Sequence, residues 1–109
     1  MNMADMFGKV TELQKKMEEA KEQLHQIEVE AESGGGMVRV TANGNREITS
    51  IKLDKDVVDP NDPEMLQDLI VAGINQALKK AEDAGQQKMS EMTKGMLPGG
   101  MDLSSLGLK

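Results

Sequence analysis

The lysines of this sequence are spaced so that they could form a binding surface for phosphate groups, because an ammonium group neutralises a phosphate. Lys9, Lys16 and Lys21 flank an apolar seam in the N-terminal segment. The carboxylates of that segment fall on the outer face: Asp5, Glu12, Glu18, Glu19 and Glu22. This sorting predicts a positive strip suited to a phosphate backbone, although lysines also extend beside apolar contacts or pair with acids of a partner helix. The sequence leaves both interpretations open.

Other candidate chemistry is scarce. The chain has one histidine, His25, and no cysteine, and His25 falls at a predicted helix end, where the dipole favours a cation. The glycines at 34–36 precede another strand rather than Lys-Ser/Thr and a helix, which indicates a hairpin turn instead of a phosphate loop. The acids from Asp54 to Glu64 lack the glycine of a calcium loop. We predict no catalytic residue, no metal site, no cofactor and no enzymatic activity.

Composition narrows the class of protein. A chain of 109 residues makes one domain, and its net charge of −6 argues against a surface that coats nucleic acid everywhere, though not against a local basic stripe. With ten methionines and one aromatic residue, Phe7, the core is predicted to be a soft one of Met, Leu, Ile, Val and Ala. No apolar run reaches the length of a membrane span or a signal peptide. We expect a cytoplasmic protein with no membrane partner and no small-molecule substrate.

Alternation of apolar and polar residues predicts three short strands between 27 and 54. Ile27, Val29 and Ala31 form the apolar face of the first strand, and Val38, Val40 and Ala42 that of the second. Asn43-Gly44 predicts a type I′ hairpin turn, in which both residues have positive φ. The third run carries Ile48, Ile51 and Leu53, and the change of parity after Ile48 predicts a bulge near Thr49 and Ser50.

Two long helices flank the strands. The first is predicted from Met3 to about Gln26 by apolar residues spaced three and four apart. The second begins at Pro63, with Asp62 as its N-cap, and extends toward Met96, although the sequence does not decide whether it continues through Gly85. Its small residues permit close packing: Gly73, Ala77 and Ala81. The fold class is thus α+β in the order α-β-β-β-α, with one domain over 1–96 and a flexible tail over 97–109.

Helix lengths predict a homodimer. At about 1.5 Å per residue both helices exceed a sheet whose strands span only about 25 Å, so apolar surface remains for a second copy. The predicted interface comprises Val10, Leu13, Met17, Leu24, Val38, Val40, Ile70 and Ile74. Projecting helices separated by about 20 Å would accept a DNA duplex. The helical cations available to line that gap are Lys9, Lys15, Lys16, Lys21, Lys79, Lys80, Lys88 and Lys94.

The sequence resembles the YbaB/EbfC family of bacterial nucleoid-associated proteins. The matching segments are Met6-Phe7-Gly8-Lys9, Gly34-x-Gly36-x-Val38-x-Val40-x-x-x-Gly44, Ile51-x-Leu53-Asp54, Glu64-Met65-Leu66-x-Asp68-Leu69-Ile70, Asn75-x-Ala77, Lys79-Lys80 and Met96-Leu97-Pro98-Gly99. The resemblance implies a tweezer-like homodimer in the cytoplasm and nucleoid. It also implies binding to double-stranded DNA that alters DNA conformation, chromosome organisation and gene expression, with DNA contacts on the projecting helices.

Two binding functions fit these patterns. In the first, the dimer grips duplex DNA largely through phosphates, since no arginine-rich helix or base-stacking aromatic residues are visible. In the second, it is an adaptor dimer whose helices engage replication or recombination proteins, and DNA contact is incidental. The salt dependence of DNA binding separates the two, because only phosphate contacts release counterions.

Overall fold

The structure, a computed structural model, describes residues 2–94. Helix α1 spans Met3–Gln26 and helix α2 spans Pro63–Thr93, and between them lie β1 (Glu28–Ser33), β2 (Val38–Asn43) and β3 (Ile48–Leu53). The α-β-β-β-α order and the antiparallel sheet are therefore confirmed. Met96 and the predicted tail over 97–109 lie outside the described residues.

The sheet has the strand order β1-β2-β3 and contains the predicted bulge. Thr41 pairs with Ser50, but the next residue of β2, Ala42, pairs with Ile48, so Thr49 is the extra residue. The Thr41 hydroxyl lies 3.0 Å from the Thr49 hydroxyl and 2.6 Å from that of Ser50. These hydrogen bonds hold the bulge in place. The extra residue shifts the alternation of side chains along β3, so that Ile48 lies on the same face of the sheet as Ala42.

Helix α2 covers β1 and β2 because its facing residues are small. Gly73, Ala77 and Ala81 are buried, and a Cβ added at Gly73 would lie 2.9 Å from a methyl group of Val40. The helix starts as predicted, since the Asp62 carboxylate accepts a hydrogen bond of 3.2 Å from the Met65 amide. It also continues through Gly85. The close approach predicted from the small residues is confirmed.

The core differs from the prediction in composition. Its buried residues are valines and alanines, namely Ala31, Val38, Val40, Ala42, Val57, Ala77 and Ala81, with larger aliphatic residues such as Leu66 and Ile74 packed around them. Among residues 2–94 no methionine belongs to this cluster, and the prediction of a methionine-containing core is wrong there. The reason is the close approach of α2 to the sheet, which leaves room only for short side chains.

The β2–β3 connection is not the predicted type I′ turn. Among the described residues outside glycine, only Arg46 has positive φ, at +64°, whereas neither Asn43 nor Gly44 does. The Arg46 amide donates to the Asn43 carbonyl (3.0 Å), and the Asn43 amide donates to the Glu47 carbonyl (3.0 Å), which closes a three-residue loop. Gly44 is needed for packing instead, since a Cβ there would lie 2.7 Å from the Leu24 carbonyl oxygen.

Helix α1 leaves the sheet and is covered along little of its length. Of its residues only Ala20 is buried, and it touches α2 and β2 near its C-terminal end. Its apolar seam is exposed, with Leu13 54% and Met17 64% accessible. A helix of 24 residues is about 36 Å long, so α1 forms an arm that extends from the body of the chain.

Replacing Gly85 by alanine is expected to destabilise the fold. A Cβ at Gly85 would lie 2.7 Å from the Gly44 carbonyl oxygen, which is backbone and cannot rotate away, so we expect a loss of about 1–3 kcal/mol in the free energy of unfolding. Gly8 is the matched control, because it is also helical but has nothing within 4 Å of its added Cβ. Gly8→Ala should stabilise by up to about 1 kcal/mol. Urea unfolding of both variants measures the contrast, and equal effects would contradict this packing account.

Candidate nucleic-acid interface

The arm α1 begins with a cap of its own. The Asn2 side chain accepts a hydrogen bond of 2.9 Å from the Asp5 amide, which satisfies one of the free N–H groups of the first turn. Asp5 also places a carboxylate where the helix dipole favours negative charge. The helix therefore has a defined start although the adjacent apolar residues Met6 and Phe7 are exposed.

At its other end the arm is held by the β2–β3 hairpin. The Gly44 amide donates to the carbonyls of Leu24 (2.8 Å) and Ile27 (3.2 Å), and the Asn45 side-chain amide donates to the Lys21 carbonyl (3.0 Å). These hydrogen bonds join the hairpin to backbone carbonyls in the last two turns of α1 and to its C-cap residue, Ile27. On the opposite side the hairpin backbone contacts α2 at Gly85. The hairpin therefore fixes the root of the arm.

Buried Asn43 connects this root to the sheet. Its side-chain oxygen accepts from the Asn45 amide (2.9 Å) and the Glu47 amide (3.2 Å), so the side-chain nitrogen must be the atom that faces Glu47 Oε1 at 2.9 Å and His25 Nδ1 at 3.3 Å. His25 Nδ1 also lies 3.6 Å from Glu47 Oε1. The Asn43 hydrogen bond, followed by the charge of His25, holds the pKa of the Glu47 carboxyl below its ordinary value, with desolvation opposing both.

The predicted lysines lie on both helices and most are exposed. This holds for Lys9, Lys15, Lys16, Lys21, Lys79, Lys80 and Lys94, whereas Lys88 is half-buried. Two have partners within the chain: the Lys16 amine lies 3.9 Å from Glu12, and the Lys80 amine donates to the Glu30 carbonyl at 2.9 Å. The Lys16–Glu12 contact is weak and open to solvent, so Lys16 can still bind another partner. The Lys80 amine, in contrast, is hydrogen-bonded to the backbone of β1, which is an edge strand.

A cavity of about 420 Å³ separates α1 from the last turns of α2. Its wall is mainly apolar, and its charged lining comes from α1: Lys16, Lys21 and Glu19. The prediction that every carboxylate of α1 lies on the outer face is therefore wrong for Glu19. The reason is that the end of α2 comes alongside α1, so a position on the flank of the helix becomes part of the wall.

The predicted interface residues fall into two groups. Val10, Leu13 and Met17 are exposed on the arm, and Leu24 is half-buried near its root. The sheet and α2 residues already pack within the chain: Val38 and Val40 are fully buried, and Ile70 and Ile74 pack against the core. Sequence patterns did not assign the apolar residues of β3 to this set, yet Ile48, Ile51 and Leu53 are 37–40% exposed, because α2 lies over β1 and β2 instead.

Residues 2–94 contain neither a metal-binding cluster of side chains nor a membrane-spanning helix. Over residues 2–94, no group of three or more His, Cys, Asp or Glu side chains is arranged to hold a metal ion. Within the same part of the chain, no helix is long and apolar enough to cross a membrane.

Comparison with known proteins assigns the family. The model of the YbaB/EbfC DNA-binding family matches residues 1–96. A nucleoid-associated protein of Bacillus thuringiensis (strain Al Hakam) is 48% identical over 101 residues, which cover 92% of this chain and 93% of that protein. A nucleoid-associated protein of Anaeromyxobacter dehalogenans (strain 2CP-C) is 45% identical over 100 residues, which cover 91% and 97%.

The fold also matches a solved structure. The crystal structure of the uncharacterised protein HP0035 from Helicobacter pylori superposes with a TM-score of 0.69 at 24% identity, covering 84% of this chain and 97% of that one. This likeness concerns the fold alone. Together with the match over residues 1–96, the sequence similarity shows that the chain belongs to the YbaB/EbfC DNA-binding family.

The lowered pKa of Glu47 predicts how the root of the arm responds to acid. Because the folded-state pKa lies below the ordinary value of 4.5, the carboxylate stabilises the fold above that pH, and this contribution is lost as pH falls through the folded-state pKa. Glu47→Gln should therefore lower the free energy of unfolding more at neutral pH than in acid. Urea unfolding across the pH range measures this, with Glu22→Gln as the control that leaves the Asn43 hydrogen bonds intact. A pH-independent effect of Glu47→Gln would contradict the assignment.

Proposed function

We propose that this protein is a nucleoid-associated protein that binds duplex DNA as a homodimer, largely through phosphate contacts, and so alters DNA conformation, nucleoid organisation and gene expression. The observation that carries the proposal is the arm α1, whose apolar seam is exposed along most of its length and is bordered by lysines. An exposed apolar seam is typical of a surface that binds a partner, and the lysines beside it favour an anionic one.

A second copy of the chain is the proposed cover. Val10, Leu13 and Met17 form an exposed apolar row on the arm, and a two-fold axis would bring two such rows together. The exposed residues of β3, Ile48 and Ile51, extend the apolar surface available to the partner. Burial of apolar area contributes about 25 cal/mol per Å², so a row of this kind favours association in water. Arms of the two copies would then project together.

Double-stranded DNA is the proposed partner of the arms. Phosphate contacts should dominate, because the chain has one aromatic residue and 13 basic residues, nearly all of them lysine, and lysine binds phosphate as a point charge. The family assignment supports DNA, and the names of the relatives support a place in the bacterial nucleoid and hence the cytoplasm. In this proposal the protein catalyses no reaction, and it binds no membrane and no small-molecule substrate.

An adaptor function is the second candidate. The cavity between α1 and α2 has an apolar wall that includes Met17, Met89 and Met92, and methionine surfaces accommodate varied helices. In that case the arms would engage a protein of replication or recombination, and DNA contact would be incidental. Such binding would depend weakly on salt, whereas phosphate contacts depend on it steeply.

Duplex binding measured against salt tests the proposal. We expect the affinity for unrelated duplexes to fall as salt rises, with a logarithmic slope of about 0.9 per neutralised phosphate. Replacing Lys9, Lys16 and Lys21 by glutamine should weaken binding and reduce that slope by about one for each contacting lysine.

The control for this experiment removes lysines outside the arms. Lys52 lies on β3 and Lys55 in the turn that follows it, so the double variant Lys52→Gln/Lys55→Gln should retain the wild-type slope. Unchanged binding by the triple variant would show that the lysine assignment is wrong. Absence of wild-type binding in dilute buffer would contradict the DNA function itself and favour the adaptor.

A further inference from the structure

Among residues 2–94, the one residue other than glycine with a positive φ is an arginine. Arg46 has a φ of +64° and closes the β2–β3 hairpin. A left-handed conformation is easy for glycine and tolerable for asparagine, but other side chains adopt it at a cost. Such conformations persist most often at functional sites. The presence of arginine at this position therefore needs a reason that the backbone does not supply.

Hydrogen bonds and close packing hold the rest of the loop in place. Gly44 is buried against the Leu24 carbonyl and Asn45 donates to the Lys21 carbonyl, so both face the root of α1. Asn43 binds the backbone on either side of Arg46 through the amides of Asn45 and Glu47. Of the three loop residues only Arg46 is exposed. The hairpin thus presents one side chain from a fixed platform at the root of the arm.

The Arg46 guanidinium has no partner in the described part of the chain. Neither a hydrogen bond nor an ion pair involves it over residues 2–94, whereas the other arginine, Arg39, lies 3.5 Å from the Glu32 carboxylate on the sheet. An arginine side chain carries five N–H donors in a planar fork that matches two oxygens of a phosphate. The Arg46 guanidinium is exposed and unpaired and so is free to bind such a ligand, while the hydrogen bonds of the loop fix the position of its backbone.

We propose that Arg46 contacts a DNA phosphate and extends the lysine strip of α1 from Lys21 onto the hairpin. This inference rests on the proposed function, which supplies the duplex, and adds a residue outside the two helices. It gives a reason for an arginine at a position where asparagine would fit the backbone better. The loop residue that precedes it binds the Lys21 carbonyl, so the hairpin and the arm would follow the DNA backbone together.

Three substitutions separate the charge of Arg46 from its conformation. Arg46→Gln removes the charge and keeps the unfavourable φ, Arg46→Asn removes both, and Arg46→Lys keeps the charge. We expect the Gln and Asn variants to bind duplex about three- to tenfold more weakly, with a salt slope reduced by about one per contacting chain, and the Lys variant to retain most of the affinity. The Asn variant should melt at the wild-type temperature or above it, because asparagine tolerates the left-handed region.

Arg39→Gln is the matched control, since it removes the arginine that is already paired with Glu32, and its affinity for duplex should match the wild type. Wild-type affinity in both Arg46→Gln and Arg46→Asn, with binding still lost in the triple lysine variant, would overturn the role of Arg46 and leave the proposed function intact. Weaker binding by Arg46→Asn alone would also overturn it, because the loop conformation rather than the charge would then be responsible. Failure of the wild type to bind would instead remove the proposed function.

Discussion

The contact between the small-residue face of α2 and the strands β1 and β2 is the constraint on which the rest of the structure depends. Gly73, Ala77 and Ala81 bring the helix so close to Val40 that only short side chains fit between them. The core is therefore thin, and it is complete without α1. The long residues that a thin core cannot accommodate, including most of the methionines, lie instead on α1, at the cavity and on the surface.

This division of the chain separates the residues that form the core from the arm to which we assign partner binding. Helix α1 contributes little to the core, so its side chains are free to serve a partner, and its orientation depends on the hairpin at its root. Two glycines make that junction possible, because Gly44 and Gly85 allow the hairpin backbone to lie between α1 and α2 without a Cβ on either side. Asn43 completes it with hydrogen bonds to the loop and to Glu47. A rigid joint of this kind holds an arm in a defined direction without burying it.

Local patterns in the sequence predicted the secondary-structure elements, but they did not predict the contacts that connect those elements. Asp62 and Pro63 predicted the start of α2, and the parity of Ile48 predicted the bulge, because each depends on a few neighbouring residues. The type I′ turn predicted from Asn43-Gly44 is wrong, because the same dipeptide can also serve a close contact with a helix that is distant in sequence. In this fold the Leu24 carbonyl lies where a Cβ of residue 44 would be, and local sequence does not reveal that contact. The heptad seam predicted a buried surface, and the lengths of the helices indicated that the chain itself would leave part of that seam uncovered, as the exposure of Leu13 and Met17 shows.

The proposed homodimer requires the exposed seam of α1 to pair with a second copy of this chain. Its most direct test is the mass of the protein in solution, measured by sedimentation equilibrium of the full chain at micromolar concentration, with Leu13→Asp as the variant that places a charge in the seam. Leu13 is 54% exposed in the single chain, so this substitution spares the core and acts on association alone. We expect twice the mass of one chain for the wild type and a shift toward the single-chain mass for the variant. A wild type that sediments as one chain would contradict it.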